Sequence, residues 1–66
     1  MQIENIKTMD PYILLSIVNM KLRDMYSSLE NLCDDLNISI EDILVRLKCI
    51  GYFYSTERNQ FLAKDN

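Results

Sequence analysis

The sequence predicts a mostly α-helical domain: a three-helix helix-turn-helix bundle with a C-terminal β-hairpin, in a winged-helix-like arrangement. Three observations predict this fold class. Asp10-Pro11 is a strong helix start. Ser27 and Ser39 each stand three residues before an acidic residue, which is the capping-box pattern of a helix start. After Gly51 the helical spacing of apolar residues ends, and an aromatic run typical of a β-strand follows.

The length of 66 residues allows one small domain, near the lower limit for a self-sufficient core. Domains of this size often gain stability from disulfides, metals or self-association. The chain has two cysteines, Cys33 and Cys49, and no histidine, and no ligand spacing supports a zinc site. Because no signal peptide precedes them, we interpret both cysteines as reduced thiols of a cytoplasmic bacterial protein. Self-association stays open.

The net charge of the chain is −3, with seven basic and ten acidic residues and a pI near 4.6. Basic residues that neutralise phosphates supply most of the non-specific affinity of a DNA-binding protein. The charge balance therefore disfavours nucleic acid as a partner, although it leaves room for a local basic patch. The apolar runs are far shorter than the ~20 residues of a membrane-spanning helix, so we expect no membrane association.

The first helix is predicted over residues 10–26, after an N-terminal arm of residues 1–9. Asp10 accepts hydrogen bonds from free backbone N–H groups, and Pro11 occupies the first helical position. The main apolar stripe consists of Leu14, Leu15, Val18, Leu22 and Met25, and a second stripe of Ile13, Ile17 and Met20 lies on a neighbouring face. A helix that is apolar on two sides needs two partners. One is its own domain; the other is the arm, the hairpin or a second copy of the chain.

The second helix is predicted over residues 28–36. Ser27 and Glu30 form its capping box, in which side chains and backbone N–H groups pair reciprocally. Its apolar face consists of Leu29, Leu32, Cys33 and Leu36. Asn37 follows, and this residue type tolerates the left-handed conformation that ends helices.

The third helix is predicted over residues 39–50, and a hairpin over residues 52–63. Ser39 and Asp42 form the capping box of the helix, and Gly51 closes it. The apolar stripe of the helix consists of Ile40, Ile43, Leu44, Leu47 and Ile50. In the hairpin, the polar residues 56–59 form the turn between two short strands, and the last three residues are expected to fray.

Residues 28–51 resemble the bacterial helix-turn-helix pattern. The matching positions are Leu29 and Leu32 in the first helix, Cys33 at the position of a small residue, Ile38 and Ser39 in the turn, and Ile43 and Leu47 in the second helix. Asn37 replaces the usual turn glycine. Because a hairpin follows, the whole pattern is similar to a winged helix. The alternative is an arbitrary three-helix bundle with a strand tail.

A second resemblance covers nearly the whole chain. The segments that carry it are Asp10-Pro11, Leu14-Leu15-Ser16, Val18-Asn19, Lys21-Leu22-Arg23-Asp24, Tyr26-Ser27-Ser28-Leu29, Ile50-Gly51-Tyr52 and Asn59-Gln60-Phe61. In these segments the chain resembles a family of small uncharacterised bacterial proteins, the domain of unknown function 4250. The resemblance implies no activity, because the family is known only as a domain of unknown function.

In a DNA-binding helix-turn-helix, the leading residues of the second helix reach the base edges. In this sequence those positions are Ser39, Ile40, Glu41, Leu44, Val45 and Lys48, which are largely apolar or acidic. The candidate nucleic-acid contacts are therefore few: Ser39, Arg46, Lys48 and, in the hairpin turn, Arg58. We prefer to interpret these cations as part of a solvated outer face.

The sequence contains no catalytic constellation. It lacks a histidine general base, and Cys49 has no evident activating base. Asp34-Asp35 and Glu41-Asp42 are adjacent carboxylates, but neighbours on a helix point in different directions. We therefore expect no enzyme activity, no cofactor, no metal and no small-molecule ligand.

The function that the sequence favours is a non-enzymatic binding module that acts by protein–protein interaction or homodimerisation through the first helix. The spare apolar stripe predicts the partner surface at Tyr12, Ile13, Ile17 and Met20. The same residues could instead pack under the hairpin or the arm. The alternative function is a DNA-binding transcriptional regulator of the winged helix-turn-helix type. That alternative requires Lys21, Arg23 and the cations of the third helix and hairpin to converge on one face.

Overall fold

In the computed structural model, which describes residues 8–64, three helices are followed by a two-stranded antiparallel sheet. The elements are α1 (Pro11–Asp24), α2 (Leu29–Leu36), α3 (Ile40–Lys48), β1 (Tyr52–Ser55) and β2 (Gln60–Ala63). This order confirms the predicted fold class. Residues 1–7 of the predicted arm and the last two residues of the chain lie outside the described residues.

The start of α1 is the one that the sequence predicts. Asp10 is the N-cap, its Oδ1 accepts a hydrogen bond from the backbone N–H of Tyr12 at 2.8 Å, and Pro11 follows at the first helical position. The helix ends at Asp24. Met25 is its C-cap and is exposed, so the prediction that Met25 belongs to the buried stripe is wrong. Because α1 ends one residue before Met25, this side chain does not follow the helical spacing that would direct it towards the core.

The N-terminus of α2 lies one residue later than its predicted capping box. Ser28, not Ser27, is the N-cap, and its Oγ accepts from the backbone N–H of Asn31 at 3.1 Å. Ser27 instead accepts from Nδ2 of Asn31 at 2.7 Å. The helix ends at Asn37, which adopts the left-handed conformation with φ of 57° and confirms that expectation.

At the start of α3, Ser39 occupies the N-cap position with an extended backbone, but its side chain makes no capping hydrogen bond. The serine half of the predicted capping box is therefore absent. After Lys48 the chain turns, and Gly51, with φ of +81°, donates its N–H to the carbonyl of Lys48 at 2.9 Å. This left-handed residue lets the chain reverse from α3 into β1 without steric strain.

The core lies between the three helices and the inner face of the hairpin. Its buried side chains are Leu14, Val18, Leu22, Leu29, Leu32, Cys33, Ile43, Leu47 and Phe61. Lys21 is only 5% exposed, so its alkyl stem is covered as well. Leu44, which the sequence places in the buried stripe of the third helix, is exposed.

The side chain of Asn19 attaches β2 to α1. Its Nδ2 donates to the carbonyl of Phe61 at 3.0 Å, and its Oδ1 accepts from the N–H of Phe61 at 2.7 Å. Nε2 of Gln60 adds a hydrogen bond to the backbone carbonyl of Asn19 at 2.9 Å. The amide of Asn19 therefore takes the place that a neighbouring strand would occupy beside β2.

The turn residue Asn59 attaches the turn of the hairpin to the end of α1 and the residues after it. It has a left-handed backbone with φ of 52°, and its Nδ2 donates to the carbonyls of Leu22 at 3.0 Å and Tyr26 at 2.9 Å. Its Oδ1 accepts from the hydroxyl of Tyr54 at 2.6 Å, and that hydroxyl accepts from the N–H of Leu29 at 3.2 Å. One network thus joins the end of α1, the start of α2 and the hairpin.

Candidate interaction surface

An open groove lies between α3 and β1. It is lined by Glu41, Leu44, Val45 and Lys48 of α3 and by residues 52–54 of β1, and its volume is about 360 Å³. Three apolar side chains are well exposed around it: Val45 at 62%, Phe53 at 40% and Leu44 at 38%. We call this surface the α3–β1 groove.

The helical period of α3 explains why apolar side chains reach this groove. Ile43 and Leu47 are buried and lie four residues apart, on one face of the helix. Leu44 and Val45 follow Ile43 at steps of about 100° around the helix axis, so they leave the core face. Their exposure gives the domain an apolar surface that its own core does not cover.

Two opposite charges flank the apolar part of α3. Glu41 and Lys48 are seven residues apart, which is almost two helical turns and about 10 Å along the axis, so they lie on one side of the helix. Both are exposed, and neither has an ion-pair partner within residues 8–64. The groove therefore carries an acidic end and a basic end.

The outer edge of β1 forms the other wall of the groove. Side chains of a strand alternate between its two faces, so a groove that touches three consecutive residues meets the strand at its edge. Tyr54 pairs with Phe61, whose N–H and C=O point away from β1 towards Asn19. In an antiparallel ladder, two residues opposite each other either both point their backbone N–H and C=O at each other or both point them outward. Tyr54 therefore directs its own backbone groups away from β2.

Tyr52, two residues earlier in β1, also directs its backbone N–H and C=O away from β2. The N–H of Lys64 donates to the carbonyl of Gly51 at 2.9 Å, so the neighbouring pair is a hydrogen-bonded one, as this alternation requires. Across the described part of the chain, no other element supplies a hydrogen bond to the backbone N–H or C=O of Tyr52 or Tyr54. The groove is therefore bordered by an open strand edge.

The surface predicted on α1 is exposed only in part. Tyr12 is 61% exposed, Ile13 55% and Met20 45%, whereas Ile17 is half-buried and packs against the core. Ile13, Ile17 and Met20 share one face of the helix, and Tyr12 lies about 100° away. The middle of the predicted patch is thus partly covered by the domain itself.

Arg46, a candidate nucleic-acid contact, has a structural position instead. It is half-buried, and its Nη2 donates to the backbone carbonyl of Met9 at 2.8 Å. Its Nε is buried and has no hydrogen-bond partner in the described chain. This guanidinium ties the segment before α1 to α3 and is not presented to solvent as a phosphate contact requires.

The remaining candidates are scattered over different elements. Ser39 lies in a depression that it shares with two acidic residues of α3. Lys48 lies in the α3–β1 groove, and Arg58 is exposed in the hairpin turn. On α1, Lys21 is buried and Arg23 is paired with the neighbouring aspartate at 3.0 Å.

The two cysteines are free thiols in different surroundings: Cys33 is buried in the core and Cys49 is exposed. Burial raises the pKa of the Cys33 thiol, so little of it is ionised near neutral pH. Outside the core, the hydroxyl of Tyr26 donates to Asp35, and this hydrogen bond raises the pKa of Tyr26. Neither feature lies in the α3–β1 groove.

We expect iodoacetamide to alkylate Cys49 rapidly and Cys33 only when the domain unfolds, because the thiolate is the reactive form and Cys33 is buried. Mass spectrometry of the native protein at about pH 8 should find one fast modification, at Cys49. In denaturant both residues should react alike. Fast alkylation of both residues in the native protein would contradict the burial of Cys33.

The sequence reasoning missed the α3–β1 groove. It assigned Leu44 to the core and gave no surface role to Phe53. The available signal was Val45, an apolar residue on the otherwise polar side of an amphipathic helix. The sequence did not show which strand packs beside α3, so it did not show that Val45 lines a groove.

These features define a small helical domain with a C-terminal hairpin and an apolar, open-edged groove. Within residues 8–64 no cluster of three or more histidine, cysteine or acidic side chains could hold a metal, and no helix there is long and apolar enough to cross a membrane. A family model described as a domain of unknown function (DUF4250) matches residues 8–61, so the chain belongs to this family. No curated protein and no solved structure matches the chain.

Proposed function

We propose that this protein is a non-enzymatic protein-interaction module that binds its partner in the α3–β1 groove. The observation that carries the proposal is the exposure of Leu44, Val45 and Phe53 around one open groove. Contiguous exposed apolar residues with a polar rim are typical of protein interaction sites. Tyr52 and Tyr54 add large aromatic contact areas.

The scaffold supports this function over DNA reading. If the second and third helices are a helix-turn-helix, α3 is the helix that would enter the major groove. Its outer side presents Val45 and Leu44 where base readout favours Arg, Asn or Gln. Because Arg46 is bound to the carbonyl of Met9, Lys48 is the one cation of α3 left to meet a phosphate. One such contact gives weak, salt-sensitive binding.

A second candidate is homodimerisation through α1. The exposure of Tyr12, Ile13 and Met20 favours it. The partial burial of Ile17 reduces the apolar area that this face offers. We therefore rank it below the groove.

The experiment that tests the function compares three immobilised baits: the wild-type protein, Val45→Lys and Met20→Lys. Each variant puts a lysine in place of an exposed apolar residue, one in the groove and one on α1. Proteins retained from a lysate, including an untagged copy of this chain, are identified by mass spectrometry. We expect Val45→Lys to lose the partner and Met20→Lys to keep it.

The reverse pattern would assign the interaction to α1, and a bait that retains no protein would overturn the proposal. Fluorescence anisotropy of labelled duplex DNA tests the alternative function. We expect no change on titration with wild-type protein at about 20 mM or at about 150 mM salt. Binding at low salt that weakens steeply with added salt would support a DNA-binding regulator instead.

A further inference from the structure

We propose that the occupant of the α3–β1 groove is a second copy of this chain, joined to the first by antiparallel pairing of the two β1 strands around a twofold axis. The inference deepens the proposed function by naming the partner, and it rests on that function. The dimer that it describes contains one continuous sheet, in the order β2-β1-β1-β2.

The open edge of β1 is the first argument. On the opposite edge of the sheet, the amide of Asn19 already occupies both backbone groups of Phe61. On β1, the backbone groups of Tyr52 and Tyr54 point away from β2, at the edge that borders the groove, and meet no other element of the described chain. An open strand edge is a template for another strand, and an isolated two-stranded sheet is marginally stable.

The length of β1 selects the register. Only Tyr52 and Tyr54 direct backbone groups outward in this four-residue strand. A twofold axis at Phe53 pairs Tyr52 of each copy with Tyr54 of the other, so that both residues use their N–H and C=O groups. Phe53 then faces Phe53 of the second copy in a non-hydrogen-bonded pair, where cross-strand side chains lie closest.

The charges of α3 argue for a second copy over an unrelated protein. Because α3 and β1 line the same groove, the proposed dimer places the two α3 helices antiparallel beside the paired β1 strands. Glu41 then approaches Lys48 of the second copy, and Lys48 approaches Glu41 of the second copy. A twofold interface requires this self-complementarity, and both charges lack a partner within residues 8–64.

The apolar residues of the groove also suit a self-complementary twofold interface. Val45 and Leu44 lie between the two charges along α3, and Phe53 lies at the middle of β1. Each of them is exposed in the single chain. The antiparallel pairing places these residues near the axis, with the charged pairs outside them. This is the usual order of an interface, with an apolar centre and a polar rim.

The decisive test is a charge swap followed by sedimentation equilibrium across a wide concentration range. We expect the wild-type chain to dimerise. Glu41→Lys alone, or Lys48→Glu alone, replaces two attractive pairs by two repulsive ones and should weaken the dimer about tenfold. The double variant Glu41→Lys/Lys48→Glu restores both pairs and the net charge, and should dimerise as the wild type does.

A mixture of the two single variants is the most discriminating experiment. The Glu41→Lys chain carries a lysine at both positions and the Lys48→Glu chain a glutamate at both. The one-to-one mixture should therefore form a heterodimer, although each variant alone dissociates. Glu30→Lys is the matched control, because it also replaces an exposed glutamate in the first turn of a helix, away from the groove. It should leave the association constant unchanged.

A cross-link tests the register. In a Cys49→Ser background, Phe53→Cys should form a disulfide-linked dimer under mild oxidation, because antiparallel residues of a non-hydrogen-bonded pair have Cα atoms about 4.5 Å apart. Leu62→Cys is the control, since Leu62 pairs with Phe53 in the hairpin and has the same exposure of 40%. It should stay monomeric.

The possible outcomes distinguish failure of the β1-paired dimer from failure of the proposed function on which it rests. A chain that stays monomeric at every concentration, while the wild-type bait retains another protein that Val45→Lys loses, would overturn the second copy and leave the proposed function standing. A dimer whose association constant is unchanged by Glu41→Lys and by Lys48→Glu would overturn the β1 pairing. A disulfide-linked dimer of Leu62→Cys and not of Phe53→Cys would overturn it as well. Rescue by the mixture together with the Phe53→Cys cross-link would establish it.

Discussion

Replacing Asn59 by alanine is expected to destabilise the domain by about 4 kcal/mol, out of a total stability of roughly 3–10 kcal/mol for a chain of this length. The substitution removes hydrogen bonds to the carbonyls of Leu22 and Tyr26 and the acceptor of the Tyr54 hydroxyl, at about 1 kcal/mol each. It also forces alanine into a left-handed backbone, which costs about 1 kcal/mol more. Denaturant unfolding followed by circular dichroism measures the loss.

Asn59→Gly separates the two contributions. Glycine adopts the positive φ without strain, so this variant should lose only the side-chain hydrogen bonds and be about 1 kcal/mol more stable than Asn59→Ala. Tyr54→Phe removes the hydroxyl that links Asn59 to the N–H of Leu29 and should cost about 1–2 kcal/mol. A cost below about 1 kcal/mol for Asn59→Ala would show that the network contributes little.

The second large effect is expected at Asn19. In Asn19→Ala, the N–H and C=O of Phe61 lose both of their partners beside a side chain that is almost fully buried. Unpaired buried backbone groups cost about 1–3 kcal/mol each, so we expect a loss of about 3 kcal/mol in the free energy of unfolding. Chemical denaturation of the variant beside the wild type gives this number directly. Wild-type stability in the variant would mean that water replaces the amide without cost.

Asn19→Asp adds a pH dependence whose sign is fixed by the geometry. Aspartate keeps the acceptor for the N–H of Phe61, but when ionised it has no donor for the carbonyl and repels it. The folded state therefore favours the protonated acid, and its pKa lies above the value in the unfolded chain. The variant should be closest to wild type at low pH and should lose stability as the pH rises through that raised pKa. A constant difference from wild type across the acidic range would contradict this.

These two asparagines connect the stability of the fold to its candidate site. They hold the start of β2 and the turn before it against α1 and the residues that follow α1, and β2 in turn positions β1 through the hairpin register. The outer edge of β1, and with it the α3–β1 groove, depends on that placement. A destabilised hairpin should therefore weaken binding in the groove even though neither asparagine lines it.

Local sequence signals predicted the order and type of the elements because they act over a few residues. Asp10-Pro11 starts α1, Asn37 ends α2 in a left-handed conformation, and Gly51 reverses the chain. Caps and turns of this kind depend on the side chain and backbone of neighbouring residues alone. The capping box near Ser27 shows the limit of such signals, since the neighbouring Ser28 competes for the same position and takes it.

The sequence by itself determined the secondary structure and most of the buried face of each helix, because helical periodicity and capping are local. Only the tertiary structure decided which apolar residues stay exposed: the packing of β1 beside α3 leaves Leu44 and Val45 outside the core, and the domain partly covers Ile17. It also assigned Asn19, Asn59 and Arg46 their structural roles, through hydrogen bonds to residues 33–42 positions away. Such long-range pairings depend on how the elements pack in space, which local periodicity does not specify.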